Sequence, residues 1–272
     1  MNNQNASSEI SPLYGALGGD LVGSIYEHHN IKTKDFPLLS LFNQFSDDSV
    51  MTLATAEALL EGDEGFARSY HTWGNRFPHA GYGGRFKRWL NTPVENLEPY
   101  NSWGNGSAMR VSPVGFACAT EEEVLALAAK SAEVTHNHPE GIKGAQATAL
   151  AVFWAKNGRS MTEIQQGISE RFGYDLTTPL DEIRPAYHFD VSCQGTVPVA
   201  MRAFLESCSY EDAIRNAISV GGDSDTLAAI TGGIALAFFR EMPPELVAAI
   251  EGQMTAGMKE LCRNFAERFP AR

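Results

Sequence analysis

The chain has 272 residues, 43% of them hydrophobic and 10% aromatic, with a formal charge of −12 and a pI of about 5.0. That is enough apolar material for one large domain or two small ones, and it excludes a disordered chain. An acid excess without any basic stripe argues against direct binding to nucleic acid or to an anionic membrane.

The N-terminus, Met1-Asn2-Asn3-Gln4-Asn5-Ala6-Ser7-Ser8, is polar and unlike a secretory signal. A flexible tail over 1–10 is expected, then one domain over 11–272. A Gly-rich stretch at 15–23 reads as a connection. The cluster Ser46-Asp47-Asp48-Ser49 precedes helical spacing of apolar residues at 50–60. Further Gly-rich connections fall at 81–84, 104–106 and 141–144. Helical spacing recurs at 121–132, 141–155 and 161–172, where Thr120 with Glu123 and Ser160 with Glu163 predict capping boxes.

The alternation in Tyr187-His188-Phe189-Asp190-Val191 is the one candidate strand. Ser192-Cys193-Gln194-Gly195-Thr196-Val197-Pro198 opens a helix spaced over 197–205, with Pro198 near its first turn. Gly221-Gly222 leads into Asp223-Ser224-Asp225-Thr226, followed by helical spacing at 227–239 and 246–265. The expectation is an all-α fold, a compact single-domain multi-helix bundle. Cys118, Cys193, Cys208 and Cys262 form no C-x-x-C pair, which fits a reduced, cytoplasmic setting. No apolar run approaches the roughly 20 residues of a membrane span.

The two acidic, hydroxyl-flanked clusters admit two readings. Ser, Thr and Asp are preferred helix N-caps, and acids in a first turn complement the helix dipole. Carboxylates beside hydroxyls also supply the oxygen ligands that hard divalent cations prefer. A cap needs one acceptor, whereas paired acids crowd like charges that a cation would neutralise. Two such clusters meeting in space favour metal. The Gly-rich connections mean tight turns, or a close approach of ligand to backbone N–H groups.

Several segments, in order, resemble the ADP-ribosylglycohydrolase family (dinitrogenase-reductase-activating glycohydrolase and its relatives). They are Gly15-Ala16-Leu17-Gly18-Gly19-Asp20-Leu21-Val22-Gly23-Ser24-Ile25-Tyr26-Glu27, the stretch 45–49, Gly104-Asn105-Gly106-Ser107-Ala108-Met109-Arg110-Val111-Ser112-Pro113, Thr135-His136 and 221–226. The resemblance implies a binuclear Mg²⁺ (or Mn²⁺) site at the base of a cleft, and hydrolysis of the bond joining the distal ribose of ADP-ribose to an acceptor. It implies metal ligands at Ser46, Asp47 and Asp48 from one side and Asp223, Asp225 and Thr226 from the other. The family more commonly has Thr where this chain has Ser46 and Ser49; serine keeps the oxygen.

By the same resemblance Glu27 and Asp48 are the acid/base candidates. Gly104, Asn105, Gly106, Ser107, Met109 and His136 would bind the substrate, the first four through backbone N–H groups. Asp20 reads equally as a support for the ligands or as a polar contact inside a helix. Arg110 either neutralises phosphate or ties to a core carboxylate. Cys193 has no evident base partner, so nucleophilic catalysis is not expected. Trp103 is the tryptophan best placed to stack.

The expected function is thus a metal-dependent hydrolase releasing ADP-ribose from an ADP-ribosylated protein or small molecule, working as a monomer. Arginine linkage is preferred over a serine, other O-linked or small-molecule acceptor. The reading of another class is a non-catalytic ADP-ribose binder or a crystallin-like structural protein, since fold does not fix function. A metal-dependent phosphoesterase using the same acids would instead yield AMP.

Overall fold

The computed structural model describes residues 10–62 and 65–270; the tail expected at 1–10 lies outside them except for Ile10. Among these residues the chain forms fifteen α-helices, in order α1 (Tyr14–Gly23), α2 (Asp47–Glu61), α3 (Phe66–Arg76), α4 (Gly84–Leu90), α5 (Gly106–Met109), α6 (Ser112–Ala117), α7 (Glu121–Glu133), α8 (Pro139–Lys156), α9 (Met161–Phe172), α10 (Leu180–Ile183), α11 (Cys193–Leu205), α12 (Tyr210–Ser219), α13 (Ser224–Phe239), α14 (Pro244–Gln253) and α15 (Ala256–Arg268). A short 3-10 turn, Val94–Asn96, joins α4 to the α5 region. None of these helices is long and apolar enough to cross a membrane.

The core is organised around α13. Its sequence is apolar or small on every side, so it cannot present a face to water without loss. It is buried from Ser224 to Ala237. Helices α1, α8, α11 and α12 pack around it, with α1 the most intimate neighbour.

That intimacy explains the glycines at 15–23, which are helix interior and not a connection. Gly15, Gly19 and Gly23, spaced by four, lie on one face of α1. A Cβ at Gly15 would stand 2.5 Å from the Gly232 carbonyl oxygen, one at Gly23 2.5 Å from the Asp225 Cα, and one at Gly19 would overlap the Ala228 carbonyl. The approach brings Asp20 alongside the start of α13. Gly141 and Gly144 likewise lie inside α8, where a Cβ would strike the Ser102 carbonyl and the Cys193 side chain.

Both predicted capping boxes are present, at Thr120/Glu123 and Ser160/Glu163. Two other expectations fail. The helix expected over 246–265 is two: Met254 is extended, and Thr255 caps α15 by accepting from the Met258 amide at 3.3 Å. The break lets Leu246 and Ile250 on α14, and Met258, Cys262 and Phe265 on α15, each reach the core. The segment 187–191 forms no strand. Among the described residues the one ladder contact nearby is an isolated bridge just past it, between Gly104 and Ser192, flanked by a 2.7 Å bond from the Asn105 amide to the Val191 carbonyl. Without a second strand to pair with, the segment runs as a lip.

Candidate active site

The N-termini of α2 and α13 converge. Ser46 caps α2, accepting from the Asp48 amide at 3.2 Å, so Asp47 and Asp48 are left free of capping duty. At α13 the cap position is Asp223, yet its side chain makes no cap bond. Its Oδ2 accepts from Asn105 Nδ2 at 2.7 Å instead. Gly221 and Gly222 stand at φ +72° and +79°, conformations that glycine adopts without a Cβ penalty; they turn Asp223 back toward α2. The Thr226 hydroxyl then donates to Asp48 Oδ2 at 3.2 Å, joining the two helices.

Two groups of carboxylates result, Asp20–Asp48–Asp225 and Glu27–Asp223–Asp225, the ligand atoms of each lying within 4.8 Å of one another. Asp225 belongs to both. Asp20 is fully buried, and its oxygens accept from Ser46 N (2.9 Å), Ser46 Oγ (2.6 Å), Ser49 N (3.1 Å) and the Ser49 hydroxyl. A carboxylate has about four acceptor sites, so Asp20 is filled by the start of α2 and orients it. Asp48 is the converse: Oδ1 is buried and has no hydrogen-bond partner.

Crowding shows in the titration of these groups. Burial, then neighbouring carboxylates, hold Asp48 and Asp225 well above the usual carboxylate range. The same causes push half-buried Asp47 up to about 8. Burial also raises Asp223 and Asp20 against the hydrogen bonds that lower them, and raises Glu27, which His28 partly opposes. Among the described residues no Lys or Arg lies within ion-pair distance of these six; His28 stands 3.6 Å from Glu27. An all-oxygen donor set, an orphaned buried acceptor and no internal counter-charge fit a hard divalent cation.

The carboxylates lie at a cleft of about 410 Å³. Glu27, Asp47, Asp48, Asp223, Asp225 and Thr226 line it, as do Gly104, Asn105, Gly106, Met109 and His136. Phe189 and Val191, about half exposed, form its lip. Ser46 and Ser107 stand behind this lining: the Ser46 hydroxyl faces Asp20 and Asp48, and Ser107 Oγ is buried and donates to the Gly141 carbonyl at 2.7 Å. Of the amides expected for a pyrophosphate, those of Gly104 and Asn105 are engaged, by Ser102 Oγ at 3.1 Å and the Val191 carbonyl at 2.7 Å.

His136 is buried, and burial together with Arg110 and Arg85 holds its pKa well below the usual value, so the ring is neutral. Arg110 donates to Thr135 Oγ1 at 2.9 Å, and Thr135 Oγ1 lies 2.7 Å from His136 Nδ1. With Thr135 Oγ1 serving as Arg110's acceptor, its own proton goes to Nδ1, which puts the ring proton on Nε2. Arg110 itself is buried, lies 4.0 Å over the Tyr70 ring, and also donates to the Ser131 carbonyl at 3.0 Å. Cys193 is buried, donates to the Gly104 carbonyl at 3.1 Å and has its thiol pushed up to about 12 by burial. Trp103 is half exposed, and its carbonyl accepts from the Cys193 amide.

Sequence reasoning missed four participants. The Asn105 side chain was passed over for its backbone, yet it holds Asp223 and Thr196. Arg85 and Tyr100 line the cleft as a cation–π pair at 4.9 Å. Asn30 pins the turn carrying Glu27. The motif marks Asn105 but not the job of its side chain, and Arg85, Tyr100 and Asn30 stand in no periodic pattern and beside no acidic cluster.

The ADP-ribosylglycohydrolase family model matches residues 10–272. The chain is 28% identical to the mouse ADP-ribosylhydrolase ARH3, over 86% of this chain and 84% of that protein. It is 23% identical to the ADP-ribosylarginine hydrolase Tri1 of Pseudomonas putida (strain GB-1), over 95% of this chain and 77% of that protein. A solved structure described as an ADP-ribosylglycohydrolase-related protein complex superposes with a TM-score of 0.72 at 22% identity, covering 95% of this chain and 98% of the other. With the family match running nearly the whole length and the same fold in a solved structure, the chain belongs to the ADP-ribosylglycohydrolase family.

Proposed function

We propose that this protein is a metal-dependent ADP-ribosylhydrolase that frees ADP-ribose from an acceptor by cleaving at C1 of the distal ribose. The observation that carries the reading is Asp225, shared between two carboxylate groups at the cleft. Such a layout suits two adjacent cations, with Mg²⁺ or Mn²⁺ the natural choices for oxygen donors. Asp47, Asp48, Asp223 and Asp225 would hold them, with the Ser46 and Thr226 hydroxyls adjoining. Bound there, the ions would supply Lewis acidity, ordering sugar hydroxyls and lowering the pKa of a water.

The chain's own groups do the rest. Asp20 keeps the first turn of α2 in register. Glu27, half-buried, stands beside Asp223 and Asp225 and is the proton carrier of choice, with Asp48 the alternative. Proton transfer of this kind contributes on the order of 10²–10⁴-fold. His136, neutral with its proton on Nε2, offers a hydrogen bond to substrate next to Gly104 and Gly106. Arginine is the preferred acceptor, since the only relative above whose name states a linkage cleaves ADP-ribosylarginine, and an acidic floor suits a guanidinium.

Purified protein incubated with arginine- and serine-linked ADP-ribosyl peptides, in Mg²⁺ and in EDTA, tests the reading by the ADP-ribose released. Release from the arginine peptide, dependent on Mg²⁺ and lost in Asp225→Ala, is expected. Release from the serine peptide alone moves the acceptor assignment. ADP-ribose binding without release points to a non-catalytic binder, AMP as product to a phosphoesterase, and no binding at all overturns the reading.

A further inference from the structure

Glu27 has no hydrogen bond of its own to hold its carboxylate in place. It sits past the end of α1 in a turn, where the Tyr26 amide bonds the Gly23 carbonyl at 2.8 Å, and among the described residues its one ion-pair partner is His28 at 3.6 Å. The position of its carboxylate therefore depends on how the backbone of that turn is fixed. Asp223, which it faces, takes its backbone position from the Gly221-Gly222 turn, and Asn105 then holds its carboxylate at 2.7 Å.

Asn30 joins the two turns through four short bonds, beside one longer bond of 3.4 Å from the Ser224 hydroxyl to the Tyr26 carbonyl. Asn30 Nδ2 donates to the carbonyls of Tyr26 (2.7 Å), Glu27 (2.9 Å) and Gly222 (2.9 Å), and Asn30 Oδ1 accepts from the Gly222 amide at 2.7 Å. Asn30 is exposed to solvent, yet both ends of its amide are spent on backbone, the two protons shared among three carbonyls. Two residues on, Lys32 Nζ donates to the carbonyls of Val220 (2.5 Å), Tyr187 (2.8 Å) and Arg184 (2.9 Å). It closes the end of α12 just before the Gly pair and anchors the segment that becomes the cleft lip.

We propose that Asn30 is a positioning residue, a clasp that locks the Glu27 turn to the Asp223 turn and so sets the Glu27 carboxylate against Asp223 and Asp225. The proposal rests on the reading of Glu27 as the proton carrier. It needs no contact between Asn30 and substrate. Small displacements of a reacting group lower turnover steeply while leaving binding made elsewhere in the cleft intact.

The test compares the full-length wild type with Asn30→Ala, Glu27→Gln and the double variant, all with Mg²⁺. Hydrogen exchange over residues 24–30 and 221–223 is expected to quicken about tenfold or more in Asn30→Ala, while exchange in α7 to α9 stays unchanged. Its kcat should fall about tenfold with KM within about twofold. In the Glu27→Gln background, Asn30→Ala should change kcat little further, because its effect runs through Glu27. Asn30→Ser, which keeps a donor and an acceptor, serves if the alanine variant folds poorly. Unchanged exchange at the two turns, or an equal loss of kcat in both backgrounds, would overturn the clasp. A wild type that releases no ADP-ribose sinks the functional reading instead, and the exchange data still decide whether Asn30 holds the turns.

Discussion

Thr226 and Asp48 stand 178 positions apart and share a hydrogen bond of 3.2 Å. Through it the first turns of α13 and α2 face each other, and both positive dipole ends point at the same carboxylates. A helix end contributes typically 0.3–1 kcal/mol toward a nearby anion. Two unit charges about 4 Å apart repel by about 4 kcal/mol at an effective dielectric of 20. The dipoles therefore offset only part of the crowding, which protonation or a bound cation would relieve further.

Removing the shared acid should separate function from fold. Asp225→Asn is expected to abolish metal-dependent ADP-ribose release while raising the Tm of the metal-free protein by about 2–4 °C, the shift that roughly 1 kcal/mol gives in a chain of this size. Thermal unfolding in EDTA, beside the release assay, checks both halves. A variant less stable than wild type without metal would mean that Asp225 is not repelled.

Stability without metal should fall as pH rises. Asp48 and Asp225 sit well above the carboxylate range and Asp47 at about 8, whereas in the unfolded chain these groups ionise near pH 4. Between those limits the folded state holds more protons than the unfolded one, so the free energy of unfolding decreases with pH. The stabilisation is complete below about pH 4 and is lost as pH passes the folded values. In EDTA, Tm should drop from about pH 5.5 to pH 8; Mg²⁺, favouring the ionised acids, should flatten the slope. A Tm that climbs over this range in EDTA would contradict the account.

Gly19→Ala should be severely destabilising, because its Cβ would overlap the Ala228 carbonyl, a backbone atom that cannot swing aside. Overpacking commonly costs about 1–3 kcal/mol, and a loss at or above the top of that range is expected in denaturant unfolding. Gly83→Ala is the control: φ is −61° and no atom lies within 4 Å of the added carbon, so stability should change by less than about 0.5 kcal/mol.

Thr135→Val keeps the shape of the side chain but removes the hydroxyl between Arg110 and His136. Leaving Arg110 Nη2 short of an acceptor should cost about 1–3 kcal/mol. The imidazole would no longer be held as the Nε2–H tautomer. Nitrogen NMR of His136 reads that change directly, and KM for the ADP-ribosyl peptide should rise more than kcat falls. An unaltered tautomer would remove Thr135 from this role.

Cys193→Ala should leave turnover within about threefold of wild type. The thiol is buried, raised to about 12, and spends its proton on the Gly104 carbonyl. A large loss of kcat with stability intact would show chemistry at Cys193 after all.

Much of this protein is written locally. Helical spacing, the capping boxes at Thr120 and Ser160, and the two acid–hydroxyl clusters each depend on residues within a turn or two of one another, which a sequence displays directly. The ordered family motifs likewise mark Glu27, Asp48, Asp225 and His136 without any fold. What only the tertiary structure decides is pairing. That Asp225 serves both carboxylate groups, that Ser46 and Ser49 fill Asp20, and that Asp223 leaves its cap for Asn105 are contacts between segments 26 to 205 positions apart. The glycines of α1 show the limit most plainly. Their sequence suggests turns, yet they lie inside a helix and are glycine because α13 passes too close for any side chain, and that distance exists only once the two helices have packed.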